Sequence, residues 1–146
     1  MLVDERGMFL TQRAHPRMAL VRMRSSVGGF VVGREGLTDL ELPAKLVEGE
    51  ARRVVVWGDE VEAIAASAGV NEWFSAAIGA RCELVYTNRP GGRGVKSGYG
   101  RAEDDLSFAD GSPVLLISEE SLGALNERLD VPVEMIRFRP NLVVKA

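Results

Sequence analysis

The sequence predicts an α+β protein: a mainly antiparallel, barrel-like sheet with two or three helices packed against it. Three observations predict this. Short apolar runs recur from the first residues onward, separated by glycine-containing turns at Gly7, Gly28-Gly29, Gly33 to Gly36 and Gly58. One of those runs, Val54-Val55-Val56-Trp57, is continuous and β-branched, as in a buried strand. Helical spacing of apolar residues is clear only later, at Trp73 to Ile78 and Leu122 to Leu129.

Bulk properties narrow the options. The chain has 146 residues, 46% hydrophobic and 27% charged, enough for a core without covalent staples. That length suits a single compact unit. A net charge of −3 argues against a general nucleic-acid binder, whose surface is basic. Cys82 is the only cysteine, so no intrachain disulfide forms and a reducing compartment fits. No charged-then-apolar leader opens the sequence, and no apolar run reaches the ~18 residues of a membrane span. The expectation is a soluble, cytoplasmic protein without a membrane partner. Both ends are apolar and look structured, so either they pair with each other or the chain is a piece of a longer one.

The elements follow in order. Met1 to Val3 and Met8 to Thr11, around Glu5-Arg6-Gly7, read as a hairpin with glycine in its turn. Pro16 cannot donate to a ladder, so Thr11 to Arg17 is an edge or a crossing loop. If it is extended, Thr11, Arg13, His15 and Arg17 share a side. Met18 to Met23, Phe30 to Val32, Leu37 to Leu42 and Ala51 to Trp57 read as strands. Glu60 to Ala68 is undecided: its alanines favour helix, but Val61 and Ile64 do not decide. Asn71 is placed to cap a helix, with Glu72 in the first turn where the dipole favours an anion. Trp73, Phe74, Ala77 and Ile78 form its apolar face and Gly79 its stop, before a strand from Glu83 to Thr87.

Asn88 to Asp105 holds five glycines and the basic residues Arg89, Arg93, Lys96 and Arg101. A loop this long is usually functional or disordered. Val114 to Ile117 is short and apolar and is expected to be buried. Ser118 caps the next helix, with Glu119 and Glu120 in its first turn. Leu122, Leu125 and Leu129 form a stripe that packs on the sheet, and Asp130 with Pro132 ends the helix. From Met135 to Lys145 the pattern alternates. Ile136, Phe138, Leu142 and Val144 point one way; Arg137, Arg139, Asn141 and Lys145 point the other.

Several constellations invite chemistry. Gly91-Gly92-Arg93-Gly94-Val95-Lys96-Ser97 resembles a phosphate loop only superficially. That motif needs Gly directly before Lys-Ser and a helix afterwards, and Val95, Gly98 and Gly100 break both conditions. A mobile loop is the plainer reading; a basic lid over an anion is the sharper one. His15 stands alone, which does not make a zinc site, and no nucleophile-elbow sequence is present. Cys82 follows Arg81, which favours a thiolate, but its place after an apolar helix suits a structural thiol better. Arg137, Arg139 and Asn141 offer three donors on one strand face, suited to an oxyanion. Taken alone, they are better explained as a solvated sheet face. Asp110-Gly111-Ser112-Pro113 shifts that balance, because Gly111 admits close backbone approach and Ser112 adds a hydroxyl. Glu119 and Glu120 already partly neutralise the following helix start, so the anion is expected at the turn and not on the helix axis.

These residues carry a resemblance. Phe108-Ala-Asp-Gly-Ser-Pro-Val-Leu-Leu-Ile-Ser-Glu-Glu-Ser-Leu, followed by Phe138-Arg-Pro-Asn-Leu-Val-Val, resembles the MOSC proteins. These include the molybdenum-cofactor sulfurase C-terminal region and the amidoxime-reducing enzymes. Thr11-x-Arg13-x-x-Pro16-Arg17 is similar to the same family's N-terminal β-barrel region. The resemblance runs the length of the chain in order, with about residues 1–105 as barrel region and 106–146 as the beginning of the MOSC domain.

The resemblance implies binding of molybdenum-molybdopterin through its phosphorylated pterin. It makes Asp110, Gly111, Ser112, Arg139 and Asn141 the cofactor-binding residues and leaves Arg137 out. It supplies no catalytic and no metal-ligating residue. The family's early Lys-Ser and Asp-Arg pairs have no counterpart. Its molybdenum-ligating cysteine lies downstream of the Arg-Pro-Asn motif, past the point matching Ala146, and Cys82 does not occupy that place. Complete members reduce N-hydroxylated compounds, taking electrons from a partner redox protein, or act as sulfur carriers. The expectation is a cofactor-binding domain, truncated and inactive alone. The alternatives are a non-enzymatic module that holds a phosphorylated ligand or an acidic protein through Arg137, Arg139 and the Arg89–Arg101 loop, and an inert remnant that folds but binds nothing.

Overall fold

The computed structural model describes residues 1–45, 49–87, 93–95, 98, 100–101 and 103–145. They fall into two compact units, Met1–Arg93 and Gly94–Ala146. Along the chain run β1 (Leu2–Val3), β2 (Arg22–Ser26), β3 (Gly29–Gly33), β4 (Leu40–Pro43), β5 (Ala51–Val56), β6 (Asp59–Ala65), α1 (Ala68–Ile78), β7 (Glu83–Tyr86), β8 (Leu116–Ser118), α2 (Glu119–Asn126) and β9 (Leu142–Val144). Short 3-10 helices occupy Pro16–Leu20 and Met135–Phe138. The expected mixture of antiparallel strands and two α-helices is observed.

The first unit contains two antiparallel sheets, in the orders β1-β7-β6-β5 and β2-β3-β4. Among the described residues no regular strand joins the edges of the first sheet; isolated bridges do. Val3 pairs with Phe9 and Met8 with Val55. Val55 N–H donates to the Gly7 carbonyl at 2.9 Å, and Phe9 N–H to the Val55 carbonyl at 3.2 Å. The expected first hairpin thus links β1 to β5. Its turn needs Gly7, which sits at φ +79° with the Arg53 carbonyl 2.7 Å from where a Cβ would lie.

Strand alternation builds the core of this sheet. Val3, Val54, Val56, Val61, Ala63 and Val85 are buried. The register sets Val54 opposite Val61, Arg52 opposite Ala63, Ala65 opposite Val85 and Val3 opposite Glu83, so all share one face. Arg52 and Glu83 therefore stand among valines. They meet as an ion pair, Nε to Oε2 at 3.0 Å, and Arg52 Nη2 also donates to the Glu5 carbonyl at 2.7 Å. The undecided segment after Gly58 is strand β6. Its alternation, Val61 and Ala63 inward against Glu60 and Glu62, overrides the helix preference of its alanines.

The second sheet and α1 enclose another apolar cluster: Leu2, Val32, Phe74, Ile78 and Cys82. Gly79 stops α1 as expected, at φ +71°, with its N–H donating to the Ser75 carbonyl at 2.9 Å. Two expectations fail here. Met18 to Leu20 belongs to a 3-10 helix that Pro16 opens, because a proline ring pre-sets the first helical position; the strand begins only at Arg22. Asn71 is not the cap. Ser67 holds that position, and Asn71 lies inside α1. Its Nδ2 donates to the Ala66 carbonyl at 3.0 Å and its Oδ1 accepts from Leu84 N–H at 2.8 Å. Ala66 N–H donates directly to the Leu84 carbonyl at 2.8 Å. One rung of the backbone ladder is thus direct and its reciprocal runs through the Asn71 amide.

In the second unit β8 and β9 form a parallel pair, Leu116 opposite Leu142 and Ser118 opposite Val144. Ser118 caps α2 as expected, its Oγ accepting from Ser121 N–H at 3.0 Å. The Asn126 side chain takes both the N–H and the carbonyl of Val133, and α2 ends there, short of Asp130. Val114 to Leu116 is exposed, not buried, with Leu116 at 57%. An apolar run is buried only where a further layer covers it, and among the described residues β8 pairs only with β9. Likewise Leu122 is half-buried while Leu125 and Leu129 stay exposed. The alternation read from Met135 onward is also corrected. Met135–Phe138 is a 3-10 helix closed by Arg139 in the left-handed region, and only Leu142–Val144 is strand. Arg137, Arg139 and Asn141 therefore do not line one strand face.

Candidate functional site

In a parallel pair both strands start at the same end. Asp110 to Leu115 leads into β8 and Arg139 to Asn141 leads into β9, so the two approach segments meet at the start of the pair. Three hydrogen bonds join them. Leu115 N–H donates to Asn141 Oδ1 at 2.8 Å, and the N–H groups of Asn141 and Leu142 donate to the Leu115 carbonyl at 2.9 and 3.2 Å. Three residues span at most about 10 Å and two about 7 Å, which bounds Ser112 from Leu115 and Arg139 from Asn141. The sheet register thus brings the predicted turn and the predicted basic segment to one end.

Asp110, Gly111, Ser112, Arg139 and Asn141 are all exposed. The side chains of Asp110, Ser112 and Arg139 make no hydrogen bond or ion pair with another described residue. No atom lies within 4 Å of where a Gly111 Cβ would stand, so that backbone is open to a ligand. Arg139 holds φ +49° and ψ +50°, a conformation that L-residues other than Asn and Asp seldom adopt. α2 begins after the other end of β8, where Lys145 Nζ lies 3.9 Å from Glu119 Oε2. The helix start and the turn therefore occupy opposite ends of the strand.

Of the four basic residues in the glycine-rich loop, Arg93 and Arg101 are among the described residues. Arg93 is buried, its Nε 2.9 Å from Oδ2 of Asp59 at the start of β6, so it is committed within the first unit. Gly94 bridges Asp105, and Arg101 N–H donates to Asp104 Oδ2 at 2.9 Å. Arg89 and Lys96, and with them half of the Asn88 to Asp105 loop read as a lid, lie outside the described residues.

Cys82 is a structural thiol. It is only 3% exposed, and its Sγ lies 3.7 Å from Ser75 Oγ. Burial pushes its pKa up; the Ser75 contact lowers it and the Glu83 charge raises it further. A thiolate forms there only at higher pH than in a free cysteine. Iodoacetamide at pH 7.5 is expected to modify native Cys82 at least about 100-fold more slowly than the urea-unfolded chain. Mass spectrometry of timed samples reads the ratio, and comparable rates would contradict a buried neutral thiol. His15 is half-buried before the 3-10 helix that Pro16 opens.

Sequence reasoning missed Arg52 and Glu83 of the first unit and took Asn71 only for a cap. Arg52, Asn71 and Glu83 line a polar recess of about 750 Å³ together with Glu5, Arg81 and Cys82. One signal was available: Arg52 falls on the same alternating face as Val54 and Val56.

Residues 1–81 match the MOSC N-terminal beta barrel domain and residues 103–146 match the MOSC domain. This chain belongs to the MOSC family. Mitochondrial amidoxime-reducing component 1 of Xenopus laevis is 28% identical over 98% of this MOSC chain and 44% of its own length. Molybdenum cofactor sulfurase of Oryza sativa subsp. japonica is 32% identical over 94% of this chain and 19% of that protein. The chain thus spans less than half the length of these relatives. A solution structure of a Bordetella bronchiseptica protein superposes with a TM-score of 0.52 at 21% identity, over 57% of this chain and 67% of that one. That likeness speaks to the fold alone. No helix among the described residues is long and apolar enough to cross a membrane.

Proposed function

We propose that this MOSC protein binds the molybdenum cofactor by the phosphate of its pterin, held between the Asp110–Ser112 turn and the Arg139–Asn141 segment. One observation carries the reading: the Leu115–Asn141 hydrogen bonds gather both segments at the start of the parallel pair. The donor chemistry suits a phosphate monoester. Arg139 offers a planar fork of N–H groups, Asn141 an amide, Ser112 a hydroxyl and Gly111 an unobstructed backbone. Asp110 repels a phosphate and suits the N–H-rich edge of a pterin ring instead. Bound, the cofactor would supply the metal-centred oxygen or sulfur chemistry of the family. The described residues fit its phosphate end but not its metal, because Cys82 is buried and held as a thiol. Reduction of N-hydroxylated compounds and sulfur carriage, with any electron-transfer partner, therefore belong to the proposal only where another group supplies the metal thiolate.

An anion- or partner-binding module without metal chemistry is the second reading, favoured by the same neutral Cys82. Calorimetric titration with a pterin phosphate and its dephosphorylated form tests the parent proposal. The phosphorylated form is expected to bind at least about tenfold tighter, with the advantage shrinking as salt rises. Equal affinity, or no binding by either, would remove the phosphate site. Binding of inorganic phosphate equal to that of the pterin phosphate would favour the simple anion module.

A further inference from the structure

We infer that Asn141 is a positioning residue, one that sets the spacing between the Asp110–Ser112 turn and Arg139 and leaves only its Nδ2 to face an anion. The inference rests on the phosphate site proposed above and specifies how that site is held together.

The backbone makes part of this connection, the N–H groups of Asn141 and Leu142 reaching the Leu115 carbonyl, and the Asn141 side chain adds the bond from Leu115 N–H. The β8–β9 ladder starts at Leu116 opposite Leu142. Two and three residues before Leu142, Pro140 has no N–H to give and Arg139 has turned into the left-handed region. The Asn141 side chain extends the pairing there, its Oδ1 taking Leu115 N–H at 2.8 Å while its own N–H returns to the Leu115 carbonyl at 2.9 Å. That two-bond ring fixes Leu115, three residues from Ser112, against Asn141, two residues from Arg139.

The ring also decides which way the amide points. A backbone N–H can only donate, so the atom facing Leu115 is the oxygen and the outward atom is the NH2. Nδ2 makes no hydrogen bond with another described residue. An outward NH2 favours an oxyanion and disfavours a ligand that presents a donor. Asn141 thus joins a structural task on one atom to a selective one on the other.

Two substitutions separate these tasks, with inorganic phosphate as probe and the full chain as protein. Asn141→Asp keeps an oxygen for Leu115 N–H and replaces the outward donor with a carboxylate oxygen. It is expected to leave Leu115 amide exchange within about threefold of wild type while weakening phosphate roughly 10–100-fold. Asn141→Ala loses both atoms. Leu115 exchange is expected to quicken roughly 3–10-fold, phosphate to weaken, and the amides of Ser112 and Arg139 to stop responding to phosphate together. Unchanged Leu115 exchange in Asn141→Ala, or wild-type phosphate affinity in either variant, would overturn the inference. If wild type itself binds no phosphate, the parent site fails instead, and Leu115 exchange still reports whether the pin exists.

Discussion

Replacing Asn71 by alanine is expected to destabilise the first unit by about 2–3 kcal/mol, lowering its melting temperature on the order of 10 °C. The substitution removes no apolar core and leaves helix propensity at least as good. What it removes is the relay through which Leu84 N–H reaches the Ala66 carbonyl. Both backbone groups are then stranded, and each such loss costs about 1–3 kcal/mol where burial is complete. The polar recess beside Asn71 admits water, which holds the total toward the lower end. Asn71→Asp gives a sharper control. Its carboxylate still accepts from Leu84 N–H but sets oxygen against the Ala66 carbonyl oxygen. The folded state therefore favours the protonated acid and raises its pKa. The variant is expected to lose stability as pH rises through the carboxylate range and to regain it on acidification. Urea titrations of the three proteins at pH 4 and pH 7 check both statements.

Arg139→Gly is expected to move stability and binding in opposite directions. Arginine at φ +49° carries a backbone cost of about 1 kcal/mol that glycine does not. Its guanidinium makes no hydrogen bond or ion pair with another described residue, so little native contact is lost. The variant is therefore expected to be as stable as wild type or up to about 1 kcal/mol more stable. Phosphate affinity, by contrast, is expected to fall about 10–100-fold, the loss of charge-assisted hydrogen bonds worth about 1.5–3 kcal/mol. Calorimetry for binding and a urea melt for stability read the two effects. A variant that loses stability and keeps affinity would place Arg139 in the fold and outside the site.

Much of this architecture was legible because strand and turn signals are local. The β-branched run at Val54 to Val56, the glycine after it, Gly79 as a helix stop and Ser118 as a cap each act within a few residues. The failures arise where a signal has two meanings. Alternating polar and apolar residues from Met135 suggest a strand, yet Pro140 and the left-handed Arg139 confine the strand to Leu142–Val144. The alanines after Gly58 suggest helix, yet pairing with β5 and β7 makes them strand. Asn71 has the right chemistry for a cap, but Ser67, four residues earlier, already holds that position.

The candidate site was legible in its members and not in its assembly. Gly111, Ser112, Arg139 and Asn141, with Arg137, stood out as residue types that suit an anion, and the resemblance added Asp110. What brings their two segments to one end is a parallel pairing and a side chain-to-backbone bond between Asn141 and Leu115, 26 residues apart. No local pattern reports such a contact. Arg52 and Glu83 were missed for the same reason: their ion pair forms only once β5, β6 and β7 are in register.

The measurement that bears most directly on this account is an amide-shift titration of the uniformly ¹⁵N-labelled chain with inorganic phosphate. If one anion sits between the two approach segments, Gly111, Ser112 and Arg139 will shift along a single saturation curve, while Glu119 and Glu120 at the far end of β8 stay still. If the turn and Arg139 titrate with different midpoints, or only one of them moves, no shared pocket exists at the start of the parallel pair.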